Sequence, residues 1–295
     1  MYNKILLFVI ILIITITVLI YIKSILIYNP TCVAHQKYDK FYAKLSHLVE
    51  SEHQITNYFV KTKDNLLLDT LYIENPDTEK CVIYFHGNTG NLSMRFDMIK
   101  ILYNFASIII FDYRSYGKSN GRHLYLSSHG LLTDADAIWN FTTNRLKIKP
   151  NNISLFGESL GCSVAIYLAS KLSKNMNNEN YPHSIILNSP FYSLESMIKK
   201  SFEKFRLDFF GNILKNIFGR EYKSNEWLKL INHQTKIIIA HSINDEIIPY
   251  EEGLNLYNSL NQIHPFVKFI AIDGSHYNLC LSDNYLYALS ELFYD

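Results

Sequence analysis

The chain has 295 residues, is 48% hydrophobic and 19% charged, and carries a formal net charge of +1 at pH 7. That balance excludes both a disordered chain and a basic nucleic-acid binder. Its four cysteines, Cys32, Cys81, Cys162 and Cys280, are widely spaced, and Cys81 and Cys162 fall in predicted core elements. Neither a disulfide framework nor a zinc site is expected.

The first element runs from Ile5 to Ile22, eighteen residues without a charge, flanked by Lys4 and Lys23. That length is just enough to cross a bilayer core as a helix. A cleaved signal peptide would have a shorter apolar region followed by a small-residue cleavage site, and none follows. A buried core helix would show a polar face, and only Thr15 and Thr17 interrupt this one. The expectation is a single-pass transmembrane anchor over 1–28, meeting membrane lipid through residues 5–22. Lys23, Lys37, Lys40 and Lys44 follow the segment, and by the positive-inside rule they place the rest of the chain in the cytoplasm. The N-x-S/T triplets at Asn91, Asn140 and Asn152 would suit a lumenal domain instead, but a chain this rich in asparagine produces such triplets by chance.

Residues 29–54 read as a connector, helical in part, and 55–295 as one domain. Ile55–Thr62 and Leu66–Ile73 read as strands around the turn Lys63-Asp64-Asn65. Cys81–Phe85 and Ser107–Phe111 are continuous apolar runs of the kind found in central parallel strands. A helix is expected over Leu92–Phe105 and another over Leu131–Arg145. Further strands are expected at Asn152–Phe156, Ser184–Leu187, Lys236–Ala240 and Val267–Ile272, and Lys174–Asn180 reads as a surface loop. Alternation of this kind means a mostly parallel, doubly wound sheet, with the initial antiparallel pair at one edge.

Phe156-Gly157-Glu158-Ser159-Leu160-Gly161 is the stretch that carries chemistry. A strand precedes it and a helix from Cys162 follows, so Ser159 sits on a tight strand-to-helix turn that exposes its Oγ. Gly157 and Gly161 let strand and helix approach closely, and the helix start aims N–H groups at an anion forming beside Ser159. The loop His86-Gly87-Asn88, at the end of the Cys81–Phe85 strand, is the natural second half of an oxyanion hole. The expected donors are the N–H groups of Leu160 and Asn88. One such donor is worth about 2.7–4 kcal/mol of transition-state stabilisation. His86, fixed at a strand end, reads as a support more than a base.

A serine nucleophile needs a base oriented by an acid. Asp245 follows the Lys236–Ala240 strand and His276 follows the Val267–Ile272 strand, both at the sheet edge of Ser159. Glu246 is the alternative acid and His241 the alternative base. His241 lies too near its strand to face the serine.

With these motifs in order, the chain resembles the α/β-hydrolase superfamily, and within it the membrane-anchored α/β-hydrolase-domain serine hydrolases. The resemblance covers H-G-N-x-G-N (His86–Asn91), D-Y-R-x-Y-G-x-S-x-G (Asp112–Gly121), G-x-S-x-G, the N-D-x-I-I-P loop with Asp245, and G-S-H with His276. Ser115 stands where that family usually has glycine, and His241-Ser242 where a His-Gly pair is usual. The resemblance implies attack by Ser159, an acyl-enzyme and release by water, with His276 shuttling the proton and Asp245 holding its tautomer. It implies neither a metal nor an organic cofactor.

Between Pro190 and Leu230 an insertion rich in phenylalanine (Phe191, Phe202, Phe205, Phe209, Phe210, Phe218) reads as a small helical cap. Its rings either line an acyl channel or pack the cap onto the sheet. Lys199, Lys200, Lys204, Arg206, Lys215 and Arg220 suit anionic headgroups or plain solvation. The expected substrate is an acyl ester or thioester, on a lipid or an S-acylated protein, with no nucleic acid and no obligate protein partner. A serine-aminopeptidase-like hydrolase and a non-catalytic binding protein on the same fold are the alternatives.

Overall fold

The computed structural model describes residues 2–30, 35–121, 126–174, 180–204, 206–276, 279–280 and 282–294. The strands are β1 (Ile55–Lys61), β2 (Leu67–Ile73), β3 (Cys81–Phe85), β4 (Ser107–Phe111), β5 (Ile153–Glu158), β6 (Ser184–Asn188), β7 (Lys236–Ser242), β8 (Val267–Gly274) and β9 (Leu279–Cys280). They form one sheet in the order β1-β2-β4-β3-β5-β6-β7-β8-β9. From β4 to β8 every pairing is parallel, while β1 pairs antiparallel with β2 and β2 with β4. The antiparallel pair thus occupies one edge, as the sequence pattern predicts.

The helices are α1 (Tyr2–Lys23), α2 (His35–Ser46), α3 (Phe96–Tyr103), α4 (Ser128–Asn140), α5 (Leu160–Leu172), α6 (Leu194–Lys204), α7 (Asp208–Phe218), α8 (Ser224–Trp227), α9 (Tyr250–Leu260) and α10 (Asp283–Tyr294). Strands β3, β4 and β6 are buried at every residue because helices cover both sheet faces, which is why their sequences do not alternate. One face packs on Leu131 and Ile138 of α4 and Val164 and Ile166 of α5. The other packs on Phe41 and Leu45 of α2, Leu102 of α3 and Leu289 of α10. The connector therefore supplies a core helix, α2.

The helix expected over Leu92–Phe105 splits into a 3-10 turn, Leu92–Met94, and the shorter α3. The Leu92 N–H donates to Asp112 Oδ1 at 2.8 Å and Asn91 Oδ1 caps the Ser93 N–H, so tertiary and side-chain partners replace helical ones. Asn91 is buried, which removes it as a glycan acceptor in the folded chain.

The anchor expected over residues 5–22 needs a correction. Residues 2–23 do form one helix, yet among the described residues no helix is long and apolar enough to cross a membrane. Residues 6–15 form an apolar stretch of α1 broken only by Thr15. Those side chains are exposed, Leu6, Leu7, Phe8, Ile13 and Ile14 most of all.

Candidate active site

Ser159 follows β5 and caps α5 with φ 54° and ψ −119°, a backbone conformation that residues with a Cβ avoid. The turn is held by the Ser159 N–H donating to Asn188 O at 2.9 Å and the Cys162 N–H donating to Ser159 O at 3.0 Å. It closes only because its neighbours lack side chains. A Cβ on Gly161 would lie 2.0 Å from Phe85 O, and one on Gly157 would lie 2.5 Å from Cys162 Cα. Glu158, inside the motif, accepts from Tyr84 Oη at 2.7 Å and pairs with Arg95 at 3.2 Å. The Arg95 guanidinium also donates to Thr89 O, so it ties the His86–Asn91 loop to the elbow. No sequence spacing marks Tyr84, Arg95 and Glu158 as partners, because three separate elements carry them.

Gly87 lies over the elbow: a Cβ there would sit 3.3 Å from Ser159 Cβ. Asn88 and Leu160 both line the cavity above Ser159. Leu160 is the first residue of α5, so its N–H has no carbonyl partner within the helix. His86 is fully buried. Its Nδ1–H donates to Gly87 O at 2.6 Å, and its Nε2 lies 3.5 Å from Asp112 Oδ1. Burial, with the Arg95 charge adding to it, lowers the His86 pKa to about 3, so the ring stays neutral and supports the loop.

Asp245 and His276 meet from neighbouring parallel strand ends. His276 Nδ1–H donates to Asp245 Oδ2 at 2.7 Å, while Asp245 Oδ1 accepts the N–H groups of Ile247 at 2.9 Å and Ile248 at 2.7 Å. Burial pushes the Asp245 carboxyl up, but the His276 hydrogen bond and charge and the Ile248 N–H outweigh it. The net shift is below the ordinary 3.8. The alternative acid, Glu246, instead accepts the His276 backbone N–H at 3.0 Å. The alternative base, His241, is buried in β7 with Nε2 donating to Ile248 O at 2.9 Å. Ser242, the departure from the usual His-Gly pair, donates to Gly274 O at 2.6 Å and thereby braces the loops of Asp245 and His276 against each other.

Above Ser159 lies a cavity of about 270 Å3. Phe191, Phe202 and Phe218 of the cap line it, with Leu194, Met197, Ile198 and Leu214. Phe209 and Phe210 face outward, and Phe205 lies outside the described residues. Three cap phenylalanines thus line the cavity, while the exposed Phe209 and Phe210 fill neither expected role. Of the cap's basic residues, Lys200 is committed to the buried Glu252 at 2.6 Å. Sequence reasoning missed Lys23, Ile27, Ile247 and Ile248 as cavity walls. Among the described residues no group of three or more His, Cys, Asp or Glu side chains is placed to hold a metal ion.

A family model described as steryl acetyl hydrolase matches residues 6–249. The chain belongs to that family. This steryl acetyl hydrolase family member is 54% identical over 277 residues to the uncharacterized protein R595 of Acanthamoeba polyphaga mimivirus, with 94% of each chain covered. It is 28% identical over 223 residues to the lysophosphatidylserine lipase ABHD12 of Bos taurus, covering 72% of this chain but only 53% of that protein. Its fold is similar to the Pyrococcus furiosus esterase Pf2001, with a TM-score of 0.65, 20% identity, and 84% of this chain and 91% of that one covered. The chain is an α/β-hydrolase of the esterase and lipase kind.

Proposed function

We propose that the chain hydrolyses acyl esters or thioesters, on lipids or S-acylated proteins, with Ser159 as nucleophile, His276 as base and Asp245 as its orienting acid. The observation that carries this reading is the 2.7 Å Asp245–His276 hydrogen bond at the sheet edge where strained Ser159 floors an apolar cavity. His276 takes the Ser159 proton as Oγ attacks the acyl carbon. The Leu160 and Asn88 N–H groups receive the oxyanion, and His276 returns the proton to the leaving alcohol or thiol. Water, deprotonated by the same base, then releases the acid.

The cavity lining includes no Asp or Glu among the described residues, which favours an acyl chain over the charged amine that an aminopeptidase would seat. The steryl acetyl and lysophospholipid ester chemistry named for the relatives agrees with an ester substrate. The reading divides the chain into an N-terminal 1–28, a connector 29–54 and a hydrolase domain 55–295. Residues 5–22 hold the domain at a lipid surface, supported by the apolar side chains that α1 exposes.

Labelling the full-length protein with a fluorophosphonate probe tests the chemistry. Labelling of the wild type that vanishes in Ser159→Ala is expected. A folded wild type that does not label would sink the serine-hydrolase mechanism.

A further inference from the structure

After α1 the chain makes a five-residue π turn, Ser24–Tyr28, closed by Asn29 at φ 36°. A helix end leaves its last carbonyls without helical partners, and here groups from the site fill that need. Asn88 Nδ2 donates to Ile27 O at 2.9 Å, and the Tyr116 hydroxyl donates to Tyr28 O. The Tyr28 side chain is fully buried, with its hydroxyl donating to Glu221 Oε2 at 2.8 Å just beyond cap helix α7. Lys23 pairs with the same carboxylate, and the Tyr222 hydroxyl lies 3.4 Å from that of Tyr28. Lys23 and Ile27 also line the cavity over Ser159. Lys23, Ile27 and Tyr28, which precede the domain in sequence, therefore touch the cap, the loop of Asn88 and the cavity together.

Resting on the hydrolase reading above, we propose that Lys23–Tyr28 is a positioning element of the site. It forms one wall of the acyl cavity and tethers the loop that carries the Asn88 N–H. The tether works because Asn88 has two separable parts: its side chain is held by Ile27, and its backbone N–H is the proposed oxyanion donor. The wall works because Glu221 locks the cap to Tyr28 and Lys23, which fixes the distance between α7 and the segment. A domain cut after residue 28 would lose both.

The test compares wild type, Tyr28→Phe and Asn88→Ala, each as the full chain in detergent. Tyr28→Phe keeps the ring in the core and removes only the hydroxyl. Amide hydrogen exchange across 87–90 is expected to accelerate about tenfold in Asn88→Ala, which removes the bond to Ile27 O, and to stay near wild type in Tyr28→Phe, whose lost hydroxyl bonds the cap. With p-nitrophenyl esters, Tyr28→Phe is expected to lower kcat/KM for octanoate about tenfold, and for acetate by less than about threefold, since only the longer chain uses the wall. Asn88→Ala is expected to lower kcat on both esters with KM unchanged when rates are normalised to active sites titrated with the fluorophosphonate probe, which removes the effect of any loss of folded protein. Wild-type exchange rates in Asn88→Ala would overturn the tether. A wild-type octanoate-to-acetate ratio in Tyr28→Phe would overturn the wall. A wild type that neither labels nor hydrolyses would overturn the hydrolase reading, and the exchange measurement would still decide the tether.

Discussion

Among the described residues three serines hold backbone that L-residues avoid: Ser189 at φ 51° follows β6, while Ser159 at φ 54° and Ser115 at φ 68° differ most in their surroundings. The latter two sit in loops at the C-terminal edge of the sheet, one after β5 and one after β4. Around Ser159 the strain turns a side chain into a cavity. Around Ser115 it serves a brace. Arg114 pairs with Asp64 at 2.7 Å and Asp134 at 2.8 Å, Tyr116 donates to Tyr28 O, and Ser119 Oγ donates to Asp112 O at 2.6 Å. The Ser115 Oγ is buried without a hydrogen-bond partner. A positive φ thus faces a cavity in one loop and a packed brace in the other, and only the surroundings tell them apart.

Ser159→Ala separates the two most sharply. It is expected to cut kcat on the order of a millionfold while leaving the melting temperature near that of wild type, because alanine keeps the Cβ and so the strain. Esterase assay and thermal circular dichroism on the same sample check both halves. Next in size, Asp245→Asn is expected to lower kcat about 10,000-fold with little change in KM, because the asparagine cannot hold the imidazole in the tautomer that accepts the serine proton. Steady-state kinetics decide it, and a loss below tenfold would move the acid role to Glu246.

The brace has its own signature in pH. His86, fully buried, is held at about 3 against an ordinary 6.5, so its contribution is present above pH 6.5 and lost as pH falls toward 3. Burial pushes Asp112 up to about 7 against 3.8, with Asp69 adding to the rise and Tyr38, the Leu92 N–H and Arg95 opposing it. Its contribution is therefore present below 3.8 and lost as pH rises through 7. The two trends oppose between pH 4 and 7. Asp112→Asn removes one of them, so the variant's melting temperature is expected to fall more steeply than that of wild type as pH drops from 7 to 4. Parallel melting curves across that range would refute the coupling.

The smallest expected effect is Ser115→Gly. Glycine takes φ 68° without strain, so stability is expected to rise by about 1 kcal/mol, read as a higher denaturant midpoint with kcat unchanged. A fall in stability would mean that the buried hydroxyl contributes more than the backbone costs.

What was legible from residues alone follows from local physics. Continuous apolar runs marked β3 and β4 residue for residue, because a strand covered on both faces has no polar side to show. Gly157 and Gly161 marked the elbow because no other residue fits so close to Cys162 and Phe85 O. The order of Asp245 and His276 along alternating strands put both at one sheet edge, since parallel strands share a C-terminal side. Partnerships that cross the sheet were not legible. Arg95 with Glu158, Ser242 with Gly274, and Tyr28 with Glu221 join residues 32 to 193 positions apart. No periodicity records such distances. The tertiary structure also decided which cap phenylalanines face the cavity, since Phe202 and Phe210 are chemically alike and differ only in which side of the cap they occupy. It decided as well that the chain between α1 and the domain belongs to the site. That role depends on orphan carbonyls meeting donors from distant loops, and only the folded chain brings them together.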